Sequence, residues 1–133
     1  MSDLSARTVF HVSDAERALH FYTNSLGFAL DWNHAPDGRA FVFQVSMLGF
    51  ALIVNEVEAH TQTRSGQGRV FIGIEDDQLE ALHSHCQAHN IRCEVIPWGE
   101  PTLLIRDLDG NWITFWLPED ARAALVIGER WPK

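Results

Sequence analysis

ARTVFHVSDAERAL (residues 6–19) is met again as GRVFIGIEDDQLEAL (residues 68–82), with one residue inserted. Arg7 aligns with Arg69, Val12 with Ile74 and Asp14 with Asp76. Both copies run from an alternating apolar stretch, through a polar break, to apolar residues at helical spacing. In the first copy residues 6–12 read as a strand. Ser13 is expected to cap the helix that follows, with Glu16 completing a capping box. Ala15, Ala18, Leu19, Tyr22 and Leu26 share one helix face, and Gly27 ends it. Strands are expected at 28–32, 40–47 and 50–55, with turns at Asp37-Gly38 and Leu48-Gly49. The second copy repeats the order: a strand at 69–75, a helix at about 77–89 with Leu79, Leu82 and Cys86 on one face, then strands at 91–96, 102–106 and 111–117. The polar, aperiodic stretch EVEAHTQTRSGQG (56–68) reads as a linker. A βαβββ unit of about 60 residues, used twice, is therefore the inferred plan. The expected layout is one domain over 1–133: module one about 6–56, linker 57–68, module two about 69–118 and a tail at 119–133.

Composition narrows the function. Apolar residues make up 46% of the 133 and charged residues 21%, which is ordinary for a globular chain and excludes a disordered or fibrous one. Ten basic against 18 acidic side chains give a net charge of −8. That sign disfavours nucleic acid and anionic membrane as partners and suits a cationic ligand. No apolar run is long enough to span a bilayer, and MSDLSARTVF has no apolar stretch of signal-peptide length, so a cytoplasmic location is expected. Two cysteines, Cys86 and Cys93, are too few for a disulfide framework. Five Trp and eight Phe exceed what a small core needs, and such aromatics often line a binding site.

VSDAERALHFYTNSLGF (12–28) resembles the first strand–helix signature of the vicinal oxygen chelate superfamily, the group of glyoxalase I, extradiol dioxygenases and bleomycin resistance proteins. RDLDGNWITFW (106–116) resembles its last-strand signature, and the likeness spans about residues 6–118. The resemblance implies an α+β fold of two tandem βαβββ modules forming a curved mixed sheet with a concave ligand cleft. It also implies a homodimer and, in the superfamily's enzymes, a divalent metal held by His or Glu from four strands. Carried onto this chain, the four positions fall on Arg7, Ile53 or Val54, Arg69 and Thr114. None is a usual ligand, and guanidinium repels a cation, so no metal and no cofactor are expected.

If those positions face the cup, alternation along a strand puts Arg7, Val9 and His11 on its wall, with Arg69, Phe71 and Gly73, and Trp112, Thr114 and Trp116. Phe10, Val12, Val70, Ile72, Ile74, Ile113 and Phe115 then face the helices. The candidate ligand-binding set is His11, Trp32, Phe41, Phe43, Phe71, Trp98, Trp112, Thr114, Trp116, Arg7 and Arg69, with no catalytic residue. Trp112 and Trp116 lie about 7 Å apart along one strand face, a spacing that suits a planar group between the indoles or simple packing. Trp32 and Trp98 are candidate rims, and Phe41 and Phe43 face either cup or core. Arg7 and Arg69 either start solvated strands or hold a carboxylate in place of the metal. His11 is a satisfied half-buried side chain, a polar ligand contact or, in an enzyme, a metal-free general base. His85 and His89 share a helix face that reads as solvated, Asp107 and Asp109 read as turn residues, and Trp131 as an anchor for the tail. The resemblance to bleomycin resistance proteins implies a small-molecule binder that sequesters a cationic or aromatic, bleomycin-type drug without chemistry. The alternatives are a metal-dependent lyase, isomerase or dioxygenase with a displaced metal site, or an interaction protein whose cup is only a dimer interface.

Overall fold

In the computed structural model, which describes residues 4–133, the two repeats fold alike. The first supplies β1 (Thr8–Val12), α1 (Ala15–His20), β2 (Ala29–His34), β3 (Val42–Met47) and β4 (Phe50–Glu56). The second supplies β5 (Arg69–Gly73), α2 (Asp76–Ala88), β6 (Cys93–Trp98), β7 (Glu100–Arg106) and β8 (Trp112–Trp116). A short helix α3 (Glu119–Ala123) and a two-residue strand β9 (Arg130–Trp131) follow. The strand orders are β1-β4-β3-β2 and β5-β8-β7-β6-β9. In each module the first strand runs parallel to the last and the other pairs are antiparallel. This is the expected α+β arrangement of two tandem βαβββ modules; each module forms its own mixed sheet, and among the described residues no ladder joins β1 to β5.

The helix boundaries follow local chemistry. The cap of α1 is Asp14, one residue later than expected: its φ of −147° is extended, and its Oδ1 accepts the Arg17 N–H at 3.0 Å. A carboxylate there also meets the positive end of the helix. The Ser13 N–H instead donates to Asp109 Oδ1 at 2.9 Å, and Glu16 Oε1 accepts from the Ala40 N–H, tying the loop before β3 to the helix. After His20 the helix widens into a π-helical turn (Phe21–Ser25), where the Leu26 N–H donates to the Phe21 carbonyl at 3.1 Å. The Thr23 hydroxyl bonds back to the Leu19 carbonyl at 2.8 Å, which competes with the regular ladder. Gly27 then reverses the chain at φ +72°, where any Cβ would stand 2.5 Å from the His89 ring.

A single buried cluster spans both modules, from Phe10, Tyr22 and Phe43 to Leu82, Cys86 and Phe115. Phe50 bridges them edge-to-face, 5.7 Å from Phe28 and 6.1 Å from Phe115. A buried polar network crosses the same boundary. The Tyr22 hydroxyl donates to Asp107 Oδ2 at 2.9 Å, and Asn111 Nδ2 donates to that oxygen and to the His11 carbonyl. Asp107 Oδ1 accepts the N–H groups of Asp109 and Asn111, so its turn role is joined by a role between modules. His85 is not a solvated residue: its Nε2 lies 2.8 Å from the Leu26 carbonyl. In the tail, β9 pairs with β6, and the Trp131 ring stands edge-on to His83 at 5.4 Å, the anchoring role expected of it.

Candidate ligand groove

Each sheet has a helix side and an outer side. Phe10, Val12, Phe43, Val45, Leu52 and Val54 are buried on the helix side of the first sheet, which leaves Val9, His11, Gln44, Ser46 and Ile53 on its outer side. In the second sheet Ile113 and Phe115 are buried, and Arg69, Phe71, Trp112, Thr114 and Trp116 face outward. Register aligns Arg69 with Trp112, Phe71 with Thr114 and Gly73 with Trp116. The expected alternation therefore holds along β1 and β5, while Thr114 on the outer side of β8 is itself buried and Thr102–Ile105 of β7 are buried throughout.

A cavity of about 990 Å³ lies between the outer sides, with Arg7, Asp31, Gln44 and Ser46 on one wall and Phe71 and Gly73 on the other. A smaller one of about 200 Å³ adjoins it, lined by Arg69, Phe71, Trp98, Trp112 and Thr114. Phe71 belongs to both. Its ring lies 5.3 Å from Trp98, carried by the end of β6, and 5.7 Å from Trp116. Phe71 is 48% exposed and Trp98 53%, so these rings form an open aromatic wall rather than core.

The two indoles of β8 are covered by this chain's own cations. Trp112 has the Arg69 guanidinium 4.4 Å and the Arg106 guanidinium 5.3 Å from its ring centre. Trp116 has Arg122 of α3 at 4.3 Å. Cation–π contacts of this kind already satisfy both rings. Arg106 is held in turn by Glu94 at 2.8 Å, and Arg122 by Glu100 at 3.3 Å. Thr114, between the two indoles, donates its hydroxyl to the Val70 carbonyl at 2.7 Å.

The remaining candidates separate. Phe43 is fully buried against Tyr22, 6.4 Å between ring centres, so it belongs to the core and not to the cup. Phe41 is half-buried just before β3. Trp32 sits opposite Gln44 on the edge strand β2, 42% exposed, and lines neither cavity. His11 is half-buried opposite Asn55 and lines neither. Arg7 is exposed and donates to the Ala6 carbonyl at 3.0 Å, while Arg69 donates to that of Gly68.

Asp31 was not among the candidates. The β2–β3 register slips between Leu30 and Trp32, so Asp31 is the extra residue of a bulge. Its carboxylate accepts from Gln44 Nε2 and from the Ser46 hydroxyl, both at 2.8 Å, on the outer side of β3. Those two donors hold the carboxyl below the ordinary aspartate range. A bulge leaves no mark in a hydrophobic pattern, which is why the sequence did not point to this residue.

The positions that would hold the superfamily's metal do not fit one. Arg7 and Arg69 are cations, Ile53 has no donor, and the Thr114 hydroxyl is engaged with a backbone carbonyl. Among the described residues no group of three His, Cys, Asp or Glu side chains converges.

A family model described as "Glyoxalase/Bleomycin resistance protein/Dioxygenase superfamily" matches residues 5–115. The chain belongs to that superfamily. Among solved structures it is similar to the bleomycin-binding protein from bleomycin-producing Streptomyces verticillus complexed with copper(II)-bleomycin, at 18% identity and a TM-score of 0.61, covering 90% of this chain and 99% of that one. It is similar to TnmS3, an antibiotic binding protein from Streptomyces sp. CB03234, at 24% identity and 0.55, covering 90% and 100%. Lactoylglutathione lyase from Agrobacterium tumefaciens matches at 17% identity and 0.54, covering 90% and 96%. At these identities the likeness is one of fold, and the fold hosts binders and enzymes alike. A comparison with curated protein sequences returns no match.

Proposed function

We propose that the protein binds a planar aromatic, drug-like small molecule in the groove between its sheets and sequesters it without altering it. The observation that carries this reading is the exposed Phe71–Trp98 wall at the junction of the two cavities. Exposed aromatics at a concave site suit stacking, worth about 0.5–1.5 kcal/mol per pair beyond burial. The residues at the superfamily's metal positions support binding over metal chemistry, since two are guanidiniums. The antibiotic-binding proteins of the same fold support it by analogy.

The test is a titration of the purified protein with bleomycin, followed by tryptophan fluorescence and by recovery of the drug. Saturable quenching that Phe71→Ala weakens at least about fivefold, with the drug recovered intact, is the expected result. Absence of saturable binding, or conversion of the drug, would reject sequestration. Elemental analysis alongside should find well under one divalent ion per chain.

A further inference from the structure

We infer that Asp31, oriented by Gln44 and Ser46, is the anchor for the positive group of the ligand, whose planar part lies on Phe71 across the groove. This rests on the groove being a ligand site and goes further by assigning its polar end. The ligand class it defines is a planar aromatic bearing an amidine, guanidine or protonated amine.

Three observations converge on it. The Asp31 carboxylate stands beside Gln44 and Ser46 on the outer side of the sheet, where all three line the larger cavity. Its two side-chain donors leave acceptor capacity, because an ionised carboxylate has about four lone-pair positions. The ion pairs among the described residues leave Asp31 out, whereas Glu94, Glu100, Asp14 and Glu56 are each matched to an arginine. Arg7, the basic residue on the same wall, donates to the Ala6 carbonyl and makes no ion pair with Asp31, although its charge helps to keep that carboxyl ionised.

The arginines set the direction of the ligand. Trp112 and Trp116 already carry Arg69, Arg106 and Arg122; the last two are paired with Glu94 and Glu100, so Arg69 is the cation that opposes a positive group on that side. On the Asp31 side such a group meets a carboxylate, with Arg7 the one cation among the described residues of that wall. Electrostatics of this kind fix orientation and exclude wrong ligands more than they add affinity. A neutral or anionic aromatic gains the ring contact alone.

The probes are a fluorescent planar diamidine, 4′,6-diamidino-2-phenylindole, and its neutral dicarboxamide counterpart. The unmodified protein should bind the diamidine more tightly, and added salt should narrow the gap. Asp31→Asn should weaken the diamidine about three- to tenfold and leave the dicarboxamide within about twofold. Gln44→Leu combined with Ser46→Ala should weaken the diamidine in the same direction. Phe71→Ala should weaken both probes. Asp31 is exposed, so its thermal midpoint serves as a control for folding and should not move. If Asp31→Asn leaves the diamidine unaffected while Phe71→Ala weakens both probes, the anchor is wrong and the groove stands. If neither probe binds the unmodified protein saturably, the groove reading falls and the anchor falls with it.

Discussion

At the scale of single residues, Tyr22 shows how a side chain chosen for a helix face comes to hold two modules together. Its ring fills the core while its hydroxyl donates to Asp107 of the second module. Burial, then the negative charge of Asp107, raises the Tyr22 phenol well above its ordinary value. A group with a raised native pKa contributes stability in full below its unfolded value, about 10 for tyrosine, and loses it as pH rises further. Tyr22→Phe should therefore cost about 1.5–3 kcal/mol at neutral pH, the worth of a bond to a charged group. The same variant should flatten the fall in stability above pH ~10. Urea melts at neutral and alkaline pH measure both, and a cost below ~0.5 kcal/mol would mean the bond does not join the modules. The indoles need a similar distinction. Trp112 and Trp116 pack against guanidiniums, so truncating either should disturb local stability more directly than it removes a stacking surface for a ligand.

Among the elements, the start of α1 is joined to the β2–β3 loop and to the end of β4 by one arginine. Arg39, in the β2–β3 loop, pairs with Asp14 at 2.8 Å and with Glu56 at 2.9 Å, and Glu56 Oε1 also accepts the Ala15 N–H. The Arg17 backbone N–H is the main influence holding Asp14's carboxyl below its usual range, and the bond from Arg39 is the main one for Glu56. Depressed carboxyls stabilise above their unfolded pKa values and lose that contribution as pH falls through the native ones. Asp14→Ala should cost about 0.5–2 kcal/mol as a lost cap, and the penalty should shrink in acid, where the carboxyl is neutral in the parent too. A cost unchanged from neutral to strongly acidic pH would separate the cap from its charge. These elements were largely legible in advance, because alternation, helical spacing and the Leu48-Gly49 and Gly27 turns are local signals. The cap moved by one residue: Ser13 and Asp14 are both good capping types, and it is Asp14 Oδ1 that accepts the Arg17 N–H, while the Ser13 N–H is bound by Asp109. The widened turn after His20 and the strand at Arg130–Trp131 depend on distant partners, and no local pattern announces them.

For the whole molecule, the repeat foretold two matching modules and which face of each strand turns outward, but not where the outward residues meet. Arg69, Phe71, Trp98, Trp112 and Thr114 converge on one cavity. Trp32 and His11 stay apart from it, because lateral distance across a sheet is set by strand order and register, which alternation does not encode. The same strand order has a consequence for assembly. Among the described residues the first strand of each module, β1 and β5, pairs with another strand on one side only, and the outer edge, where the His11 carbonyl accepts from the Gly66 N–H and from Asn111, lies beside the larger cavity. Val9, Leu48, Phe71 and Trp98 are exposed by 44%, 45%, 48% and 53% respectively. Unpaired edges next to exposed apolar side chains favour association, and a two-fold partner is the commonest form it takes. We expect a dimer at micromolar concentration, with light scattering giving about twice the 15.1 kDa chain mass. Replacing Val9 on the first module's free-edge strand by Lys should shift it toward monomer, since a charge there opposes burial. The sharper measurement is to titrate monomeric and dimeric forms with the same ligand. If the partner helps to close the groove, affinity should fall with dissociation. If affinity is unchanged in a clean monomer, Asp31 and Phe71 of one chain suffice, and association is independent of binding.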